Sequence, residues 1–265
     1  MANARPYTDA HAVMGVDIAV LFDDKLTSNQ LARLGASFEA EMVKHGLAVS
    51  KGRSGDNGSR LAFEKTDANG SVIEDVHIHE NFVHVIQKEY RGWTLTRDTA
   101  LERLSPLLDL LPDNELPVCG VGMSFRDAFL VDDPRQYEIN DVFKPNIYLP
   151  QFVFEGGRFW QTRSEWADSD PPDPWNRRYS QLTVDARVRS SSEKGDDSED
   201  SKDFLHVTQL THRQQMVVWD VENLAKLKWG GEEARRWLDC LHDRNKILVK
   251  ALLNDAMLEK IGLKE

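Results

Sequence analysis

The chain has 265 residues, of which 40% are hydrophobic, so it can bury a substantial core as one large domain or two small ones. Its net charge of −11 argues against a general nucleic-acid binder with a uniformly basic surface, and leaves room only for a local basic groove. Two cysteines are too few for a disulfide framework or a four-ligand zinc site. The sequence contains neither a run of ~18 apolar residues nor a secretory signal. We therefore expect a cytoplasmic protein without a membrane span.

The first part of the chain reads as a strand, a helix, three strands and a second helix. Thr27 and Gln30 have the spacing of a capping box, and Gly46 suits a left-handed cap, so we predict a helix between them. Thr96 is placed to cap the second helix, in which Pro106 predicts a kink or a break. The predicted strands cover residues 16–22, 60–66, 72–79 and 82–90.

The second part repeats this order, with a short and polar segment where the first part has a full helix. In its first strand, Gly120 and Gly122 indicate close approach of another backbone or a bulge. Asp127 follows that strand and is interpreted as a loop-end aspartate. A long helix begins near Glu232, and Asn254 is placed to cap a short final helix. The predicted strands cover residues 118–125, 147–154, 158–167, 179–190 and 204–215, the last four as two hairpins.

The repeated order predicts an α+β fold built from two βαβββα-like halves. Residues 1–115 form the first half, and residues 116–265 form the second, which is richer in strands and ends in a long helix. We expect mainly antiparallel strands in one or two sheets, with the helices covering one face and the other face partly open. The acidic stretch near residues 190–203 is nearly devoid of apolar side chains and is predicted to be a disordered loop.

Three segments carry a resemblance to a known group of proteins. They are YRGWTLTRDTALERLSPLL from Tyr90, GVGMSFRDAFLV from Gly120 and LHDRNKILVKALLNDAMLEKIG from Leu241. With them the chain resembles a sporadically distributed family of uncharacterised prokaryotic proteins, to which no activity is assigned. The resemblance spans nearly the whole chain, and it implies the fold more than any function.

The same resemblance implies a biological setting. The strand of such proteins reads glycine, an aliphatic residue, arginine, an aromatic residue and then asparagine, whereas here Ser124 replaces the arginine and Asp127 replaces the asparagine. A ligand that depended on that arginine would be lost in this chain. The patchy distribution implies carriage on mobile elements or within defence-type gene modules, and a role as one component of a larger bacterial system.

Histidines on neighbouring predicted strands are the candidate metal ligands. His77 and His79 are two residues apart and therefore share one face of their strand, and His84 on the next strand could approach them across the hairpin. Three converging imidazoles suit zinc or another borderline metal with an open position. A solvated sheet face with alternating polar residues is the other interpretation. His206 and His212 also share one face of their own strand.

Tryptophans and arginines of the second half are the candidate binding residues. Trp160 and Trp166 share strand parity and could present one aromatic surface, with Trp175 close behind in a proline-containing loop. Packing of the sheet against helices is the other interpretation of these tryptophans. The arginines concentrate positive charge and would suit an anionic ligand or a nucleic acid. The candidate binding set is Trp160, Arg163, Trp166, Trp175, Arg177, Arg178 and Arg187.

Motifs that would identify a known chemistry are missing from the sequence. The Walker, dinucleotide-binding and nucleophile-elbow patterns do not occur, so we predict no cofactor and no catalytic residue. The leading hypothesis is a non-catalytic interaction or ligand-binding subunit of a bacterial defence-type or regulatory assembly, with a protein partner or a second copy of itself. The alternatives are a metal-dependent hydrolase or nuclease that uses the strand histidines, and a small-molecule sensor with a pocket between the halves.

Overall fold

A ten-stranded antiparallel sheet runs through the part of the chain that the structure describes. The structure is a computed structural model and describes residues 4–50, 61–109, 118–168, 176–190, 204–218 and 232–263. The strands are β1 Arg5–Pro6, β2 Val13–Phe22, β3 Ala48–Val49, β4 Leu61–Thr66, β5 Val72–Ile78, β6 Phe82–Gln87, β7 Val118–Val131, β8 Trp160–Asp168, β9 Asn176–Ser190 and β10 Phe204–Val218. The helices are α1 Ser28–Lys44, α2 Trp93–Asp109, α3 Glu232–Leu252 and α4 Asp255–Lys260.

Each half of the chain contributes one contiguous block of strands. The order is β3-β4-β5-β6-β2-β7-β10-β9-β8, each neighbouring pair is antiparallel, and β1 pairs with the end of β7. The blocks therefore join where β2 pairs with β7. The predicted α+β class with a mainly antiparallel sheet is confirmed. The division at residue 115 stays a prediction, and it falls within residues 110–117, outside the described part of the chain, as do residues 191–203 of the predicted disordered loop.

Successive side chains of each strand point to opposite sides of the sheet, and the two faces of the sheet therefore differ in composition. On the helix face, Ile18 of β2 packs in one core with Phe38 of α1, Leu104 of α2 and Leu241 of α3. A second core on the same face joins the other block to the end of α3 and to α4. We call the opposite side the polar face, and register places on it Asp17 and Ala19 of β2, His77 of β5, His84 of β6, Ser124 of β7, Arg163 of β8, and Arg213 and Gln215 of β10.

Local signals predicted the helix ends correctly where side-chain caps are present. The Thr27 side chain accepts from the backbone N–H of Gln30, and the Gln30 side chain accepts from the backbone N–H of Thr27 at 2.8 Å, which completes a capping box. Gly46 has a φ of 78°, the left-handed conformation that ends a helix. The Asn254 side chain accepts from the backbone N–H of Met257 and caps α4.

The structure contradicts the predicted cap of α2 at Thr96 and a break of the helix at Pro106. The helix begins at Trp93, so Thr96 lies inside its first turn, where the Thr96 carbonyl accepts a hydrogen bond from the Gln87 side chain at 2.8 Å. The helix also continues through Pro106 to Asp109, so the chain does not break there, while the alternative of a kink stays a prediction. Pro106 removes one backbone hydrogen bond close to the end of the helix, where few bonds remain to be disrupted.

The hairpin predicted for residues 147–154 and 158–167 is wrong. The second segment becomes β8 and pairs with β9, whereas the first ends in a short 3-10 helix, Gln151–Phe154, that follows Pro150. Proline fixes its own φ and cannot donate to a strand ladder, so the apolar residues around it do not continue as a strand. Val153 is buried in the second core instead.

The strand β7 is longer than predicted and contains the close backbone approach that its glycines indicated. A Cβ atom added to Gly120 would lie 2.5 Å from the backbone oxygen of Met216 on β10, which real side chains do not tolerate. A Cβ atom added to Gly122 would lie 3.5 Å from the Cβ of Ala19, an ordinary contact. Only glycine therefore fits at position 120, whereas alanine fits at position 122.

We predict that Gly120→Ala destabilises the protein and that Gly122→Ala does not. The added methyl group at position 120 must push two strands apart, at a cost of about 1–3 kcal/mol, while the change at position 122 stays within about 0.5 kcal/mol. Urea unfolding of both variants measures the difference. Equal midpoints for the two variants would contradict the geometry at Gly120.

Asp127 lies inside β7 rather than in a loop, so its interpretation as a loop-end aspartate is wrong. The side chain is 6% exposed, and its Oδ2 atom has no hydrogen-bond partner. Burial raises the pKa of Asp127 to about 7, because the charged form is poorly solvated there. The carboxyl group is therefore protonated in the folded protein at pH values where it is ionised in the unfolded chain.

This difference predicts a pH-dependent effect of Asp127→Asn. Between the unfolded and folded pKa values the folded state binds more protons, so the wild-type protein loses stability as the pH rises from about 4 to about 7. Asparagine has no such ionisation, so the stability of the variant relative to wild type should increase by about 2–3 kcal/mol between pH 5 and pH 8. Thermal unfolding of both proteins at both pH values checks this, and a pH-independent difference would contradict it.

Candidate metal centre

The β5–β6 hairpin brings His77, His79 and His84 together on the polar face. His77 lies directly opposite His84 in the strand register, and His79 follows two residues after His77. One ligand nitrogen from each imidazole can be chosen so that all three lie within 4.8 Å of one another. His77 and His79 are buried, at 7% and 9% exposure. The three predicted histidines thus form a compact cluster, which we call the histidine triad.

Two of the imidazoles already have the spacing that a single metal ion requires. The Nε2 atoms of His79 and His84 lie 3.4 Å apart. Zinc–nitrogen bonds of about 2.0–2.1 Å in tetrahedral geometry place two ligand nitrogens about 3.3 Å from each other. In the absence of an ion, the same spacing permits one ring to donate a weak hydrogen bond to the other, so the distance suits either state.

Asp17 orients His84 from the neighbouring strand. The Nδ1 atom of His84 lies 2.9 Å from Oδ1 of Asp17, so the protonated Nδ1 donates to the carboxylate. This fixes the tautomer whose Nε2 carries a lone pair, and that Nε2 is the atom facing His79. Metal-binding histidines commonly donate their second nitrogen to a carboxylate in this manner. Asp17 is thus the expected outer partner of a metal ligand.

Burial favours the neutral form of His77, and one nitrogen of its ring has no hydrogen-bond partner among the described residues. Burial lowers the pKa of His77 below its ordinary value, His84 adds to this effect, and the carboxylates of Asp75, Asp17 and Glu64 oppose it. Its Nδ1 atom is buried without a hydrogen-bond partner. An orphaned polar atom of this kind costs about 1–3 kcal/mol. Neutral imidazole is the form that binds metal ions.

Two carboxylates, Asp17 and Asp75, lie on the polar face beside the histidine triad. Asp75 precedes His77 by two residues on the same face, is 3% exposed and pairs through Oδ2 with Lys88 at 2.8 Å, while its Oδ1 atom has no hydrogen-bond partner. Lys88 offsets much of the Asp75 charge, so Asp17 is the carboxylate that favours a cation over an anion beside the imidazoles.

A cleft of about 270 Å³ adjoins the histidine triad on the polar face. His84 and Asp17 line one end, and Arg213 and Gln215 of β10 line the other. The small side chains of Ala19 and Ser124 and the bare backbone of Gly122 form the floor between them. A ligand in this cleft would contact a residue of the triad directly. The lining residues are Asp17, Ala19, Leu21, Phe82, His84, Gly122, Met123, Ser124, Arg213, Gln214 and Gln215.

The predicted tryptophan–arginine surface is divided between the two faces of the sheet. Register places Trp160, Trp166 and Arg178 on the helix face, where both tryptophans pack against the second core. Arg178 is 1% exposed, and its Nη1 atom lies 3.6 Å from Sγ of Cys240 on α3. The structure therefore does not bring these three residues together with the other arginines of the set. Trp175 lies outside the described residues.

The remaining arginines of that set lie on the polar face. Arg163 donates to Glu165 at 2.9 Å, and Arg187 lies 3.1 Å from Asp185. Arg177 is exposed on the same face of β9. Their charge is therefore partly neutralised by neighbouring carboxylates.

His206 and His212 of β10 do not join the histidine triad. Both lie on the helix face and are buried. His206 stacks on Tyr137, with ring centroids 3.5 Å apart, and its Nε2 atom bonds to the carbonyl oxygen of Arg158. The Nδ1 atom of His212 bonds to Oδ1 of Asn245 on α3. These two histidines connect the sheet to the elements that cover it.

Asp17 and Arg213 are the residues of this site that sequence reasoning missed. Asp17 stands in the run VDIAVLF, which reads as an apolar interior strand. Asp17 is the only polar residue in this run, and a polar side chain inside an apolar strand was the available signal that one face of the strand is polar. Arg213 stands in an ordinary alternating strand, and its place beside β2 and β7 depends on the sheet order.

We predict that Asp17→Ala weakens zinc binding by about 10–100-fold while leaving the fold intact, because His84 loses the acceptor that fixes its tautomer. Asp23→Ala, which removes an exposed aspartate just after β2, is the matched control and should bind zinc as wild type does. Competition with a chromophoric chelator measures both affinities. An Asp17→Ala variant with wild-type affinity would show that the carboxylate has no role in metal binding.

Comparisons with known proteins return no match, either among protein-family models or among curated proteins. The resemblance to a sporadically distributed prokaryotic family thus stays a prediction. Within the described residues, no helix is both long enough and apolar enough to cross a bilayer.

Proposed function

We propose that the protein is a metal-dependent hydrolase whose zinc-class divalent ion is held by His77, His79 and His84. The observation that carries the proposal is the convergence of three imidazole nitrogens within 4.8 Å, with a carboxylate 2.9 Å behind one of them. Imidazole ligands favour zinc and similar borderline metals over magnesium or calcium, which prefer oxygen ligands.

The described residues supply three neutral ligands, a number that suits a catalytic ion better than a structural one. Structural zinc sites are closed by four protein ligands, whereas catalytic sites keep one position open. An ion held by three neutral imidazoles keeps its full charge and can lower the pKa of a bound water to about 7, which makes a nucleophile available near neutral pH. The cleft beside His84 offers room for a substrate next to the histidine triad.

The residues of the chain have separate parts in this proposal. His77 and His79 supply ligand nitrogens from a buried position, which excludes bulk water from that side. His84 links the ion to the cleft, and Asp17 holds the His84 ring in its ligand tautomer.

An interaction subunit is the second candidate function, and exposed apolar side chains favour it. Ile147, Phe152 and Phe159 are 92%, 58% and 69% exposed, and all three lie in the connection between β7 and β8. Contiguous apolar patches, rather than single exposed residues, are typical of protein-binding surfaces, so this candidate depends on the three side chains forming one patch. Membership of a bacterial defence-type or regulatory assembly and a cytoplasmic location stay predictions that accompany this candidate.

Metal analysis of protein purified without a histidine tag separates the two candidates. We expect about one zinc ion per chain in the wild-type protein, and loss of that ion in His77→Ala and His79→Ala, because two imidazoles alone bind zinc weakly. His45→Ala, which removes a half-buried histidine at the end of α1, is the control and should keep the ion. Hydrolysis of a panel of ester substrates should require zinc and should be lost in the same two variants.

A contrary result is equally well defined. Wild-type protein that binds zinc no more tightly than His77→Ala, with both proteins folded by circular dichroism, would make the metal proposal wrong. The interaction-subunit hypothesis would then be favoured. Bound zinc without hydrolysis of any ester would leave metal binding in place and remove the catalytic part.

A further inference from the structure

Arg213 is a positively charged group in the cleft beside the histidine triad. We propose that Arg213 binds the phosphoryl group of the substrate, so that the hydrolase acts on a phosphate ester. This inference rests on the proposed function, because it names the substrate of the same site. A guanidinium group binds phosphate oxygens through two parallel hydrogen bonds, which gives it both affinity and orientation.

The strand register aligns Arg213 with the triad. Asp17 of β2 lies opposite Ser124 of β7, and Ser124 lies opposite Arg213 of β10, so the three residues form one row across the polar face. Neighbouring strands are about 4.8 Å apart, which puts the Cα atoms of Asp17 and Arg213 roughly 10 Å from each other. The His84 ring contacts the Asp17 end of this row. A phosphoryl group above Ser124 would therefore lie between the triad and the guanidinium.

The charge of Arg213 is available for a ligand. Its side chain is exposed, and no described residue forms an ion pair or a hydrogen bond with it. By contrast, Arg163 and Arg187 on the same face have carboxylate partners at 2.9 and 3.1 Å. In a chain with a net charge of −11, an arginine without a carboxylate partner in a cleft is a specific feature that attracts an anion.

The size of the cleft suits a small group such as phosphate. Its volume of about 270 Å³ falls just below the range of about 300–1,000 Å³ that is usual for pockets that bind drug-sized molecules. The floor at Gly122 is bare backbone, so a ligand can approach the sheet closely. The terminal oxygens of a phosphoryl group can contact a metal ion and a guanidinium at the same time, as such groups do in other phosphoryl-transfer sites.

A second hollow indicates where the organic part of the ester lies. This hollow of about 380 Å³ shares Arg213 and Gln215 with the cleft and extends over β9 and β8. Tyr179, which is 39% exposed, lines it beside the amide of Gln181. Arg213 thus stands at the junction of the two spaces, with the phosphoryl group on the triad side and a small organic group on the Tyr179 side.

The proposed reaction is the hydrolysis of a phosphate ester by water. The oxygen of a water molecule forms a new bond to phosphorus, the ester P–O bond breaks, and the departing alcohol oxygen takes a proton from that water. The products are an alcohol and a phosphate, and no oxidant or reductant is needed.

Titration of the zinc-loaded protein with inorganic phosphate tests the inference directly. We expect Arg213→Gln to weaken phosphate binding by at least about tenfold, since a charge-assisted bidentate contact is lost. Arg187→Gln makes the same change of charge on the same face, away from the cleft and from the second hollow, and should stay within about twofold of wild type. Arg213→Lys keeps the charge and should bind with intermediate affinity. Acetate, titrated in parallel, should bind more weakly than phosphate.

Each outcome bears on one proposal. Zinc content, measured in every sample, reports on the metal centre alone and should be the same in all three arginine variants and in wild type. If zinc is present and Arg213→Gln binds phosphate as tightly as the wild-type protein does, the role of Arg213 is overturned. The same conclusion follows if the wild-type protein binds phosphate no more tightly than acetate, or does not bind phosphate at all. Absence of zinc from the wild-type protein would overturn the proposed function itself.

Discussion

The antiparallel pairing of β2 with β7 is the contact on which the rest of the structure depends. It joins the two blocks of strands at the centre of the sheet, with Asp17 opposite Ser124 and Ile18 opposite Met123. Because side chains alternate along a strand, this single register decides which residues of both halves face the helices. A shift by one residue would move Asp17 into the core and Ile18 onto the polar face. Such a shift would expose apolar side chains and bury polar ones, and this cost in free energy fixes the register. The geometry of the polar site follows from that register.

Polar groups in the histidine triad are held at a cost that apolar packing would avoid. His77 is 7% exposed with an unpartnered Nδ1 atom, and Asp75 is 3% exposed with an unpartnered Oδ1 atom. Buried polar atoms without partners are uncommon in native proteins and often have a ligand-related explanation. A divalent ion would use the imidazole nitrogens and would be favoured by the nearby carboxylates. The same groups that weaken the metal-free fold would thereby stabilise the metal-bound one.

Aromatic and histidine side chains make different contacts on the two faces of the sheet. On the helix face, Trp93 stacks on His242 with ring centroids 4.3 Å apart and donates to Asp239 at 2.7 Å, which connects α2 to α3. Burial lowers the pKa of His242 to about 4, so this ring stays neutral at ordinary pH. On the polar face, the rings of the histidine triad contact one another instead, and His84 lines the cleft. Composition alone does not distinguish these two kinds of histidine.

The sequence by itself determined the features that depend on neighbouring residues. The capping box at Thr27, the left-handed Gly46 and the shared face of His77 and His79 all follow from spacing along the chain, because caps and strand parity are local. Local patterns were misleading where a proline intervened, as in the segment before β8, since apolar alternation also occurs in irregular chain that packs on a core.

Tertiary structure decided which strands are neighbours, and with them the composition of the site. Asp17 is 67 residues from His84 in sequence, and Arg213 is a further strand away on β10, so their meeting depends on the sheet order rather than on any motif. The division of Trp160 and Arg163 between opposite faces was implicit in strand parity, but which face was covered by helices was not. The physical reason is that burial is a property of the whole packed sheet, because hydrophobic contact between distant segments selects the face that the helices cover.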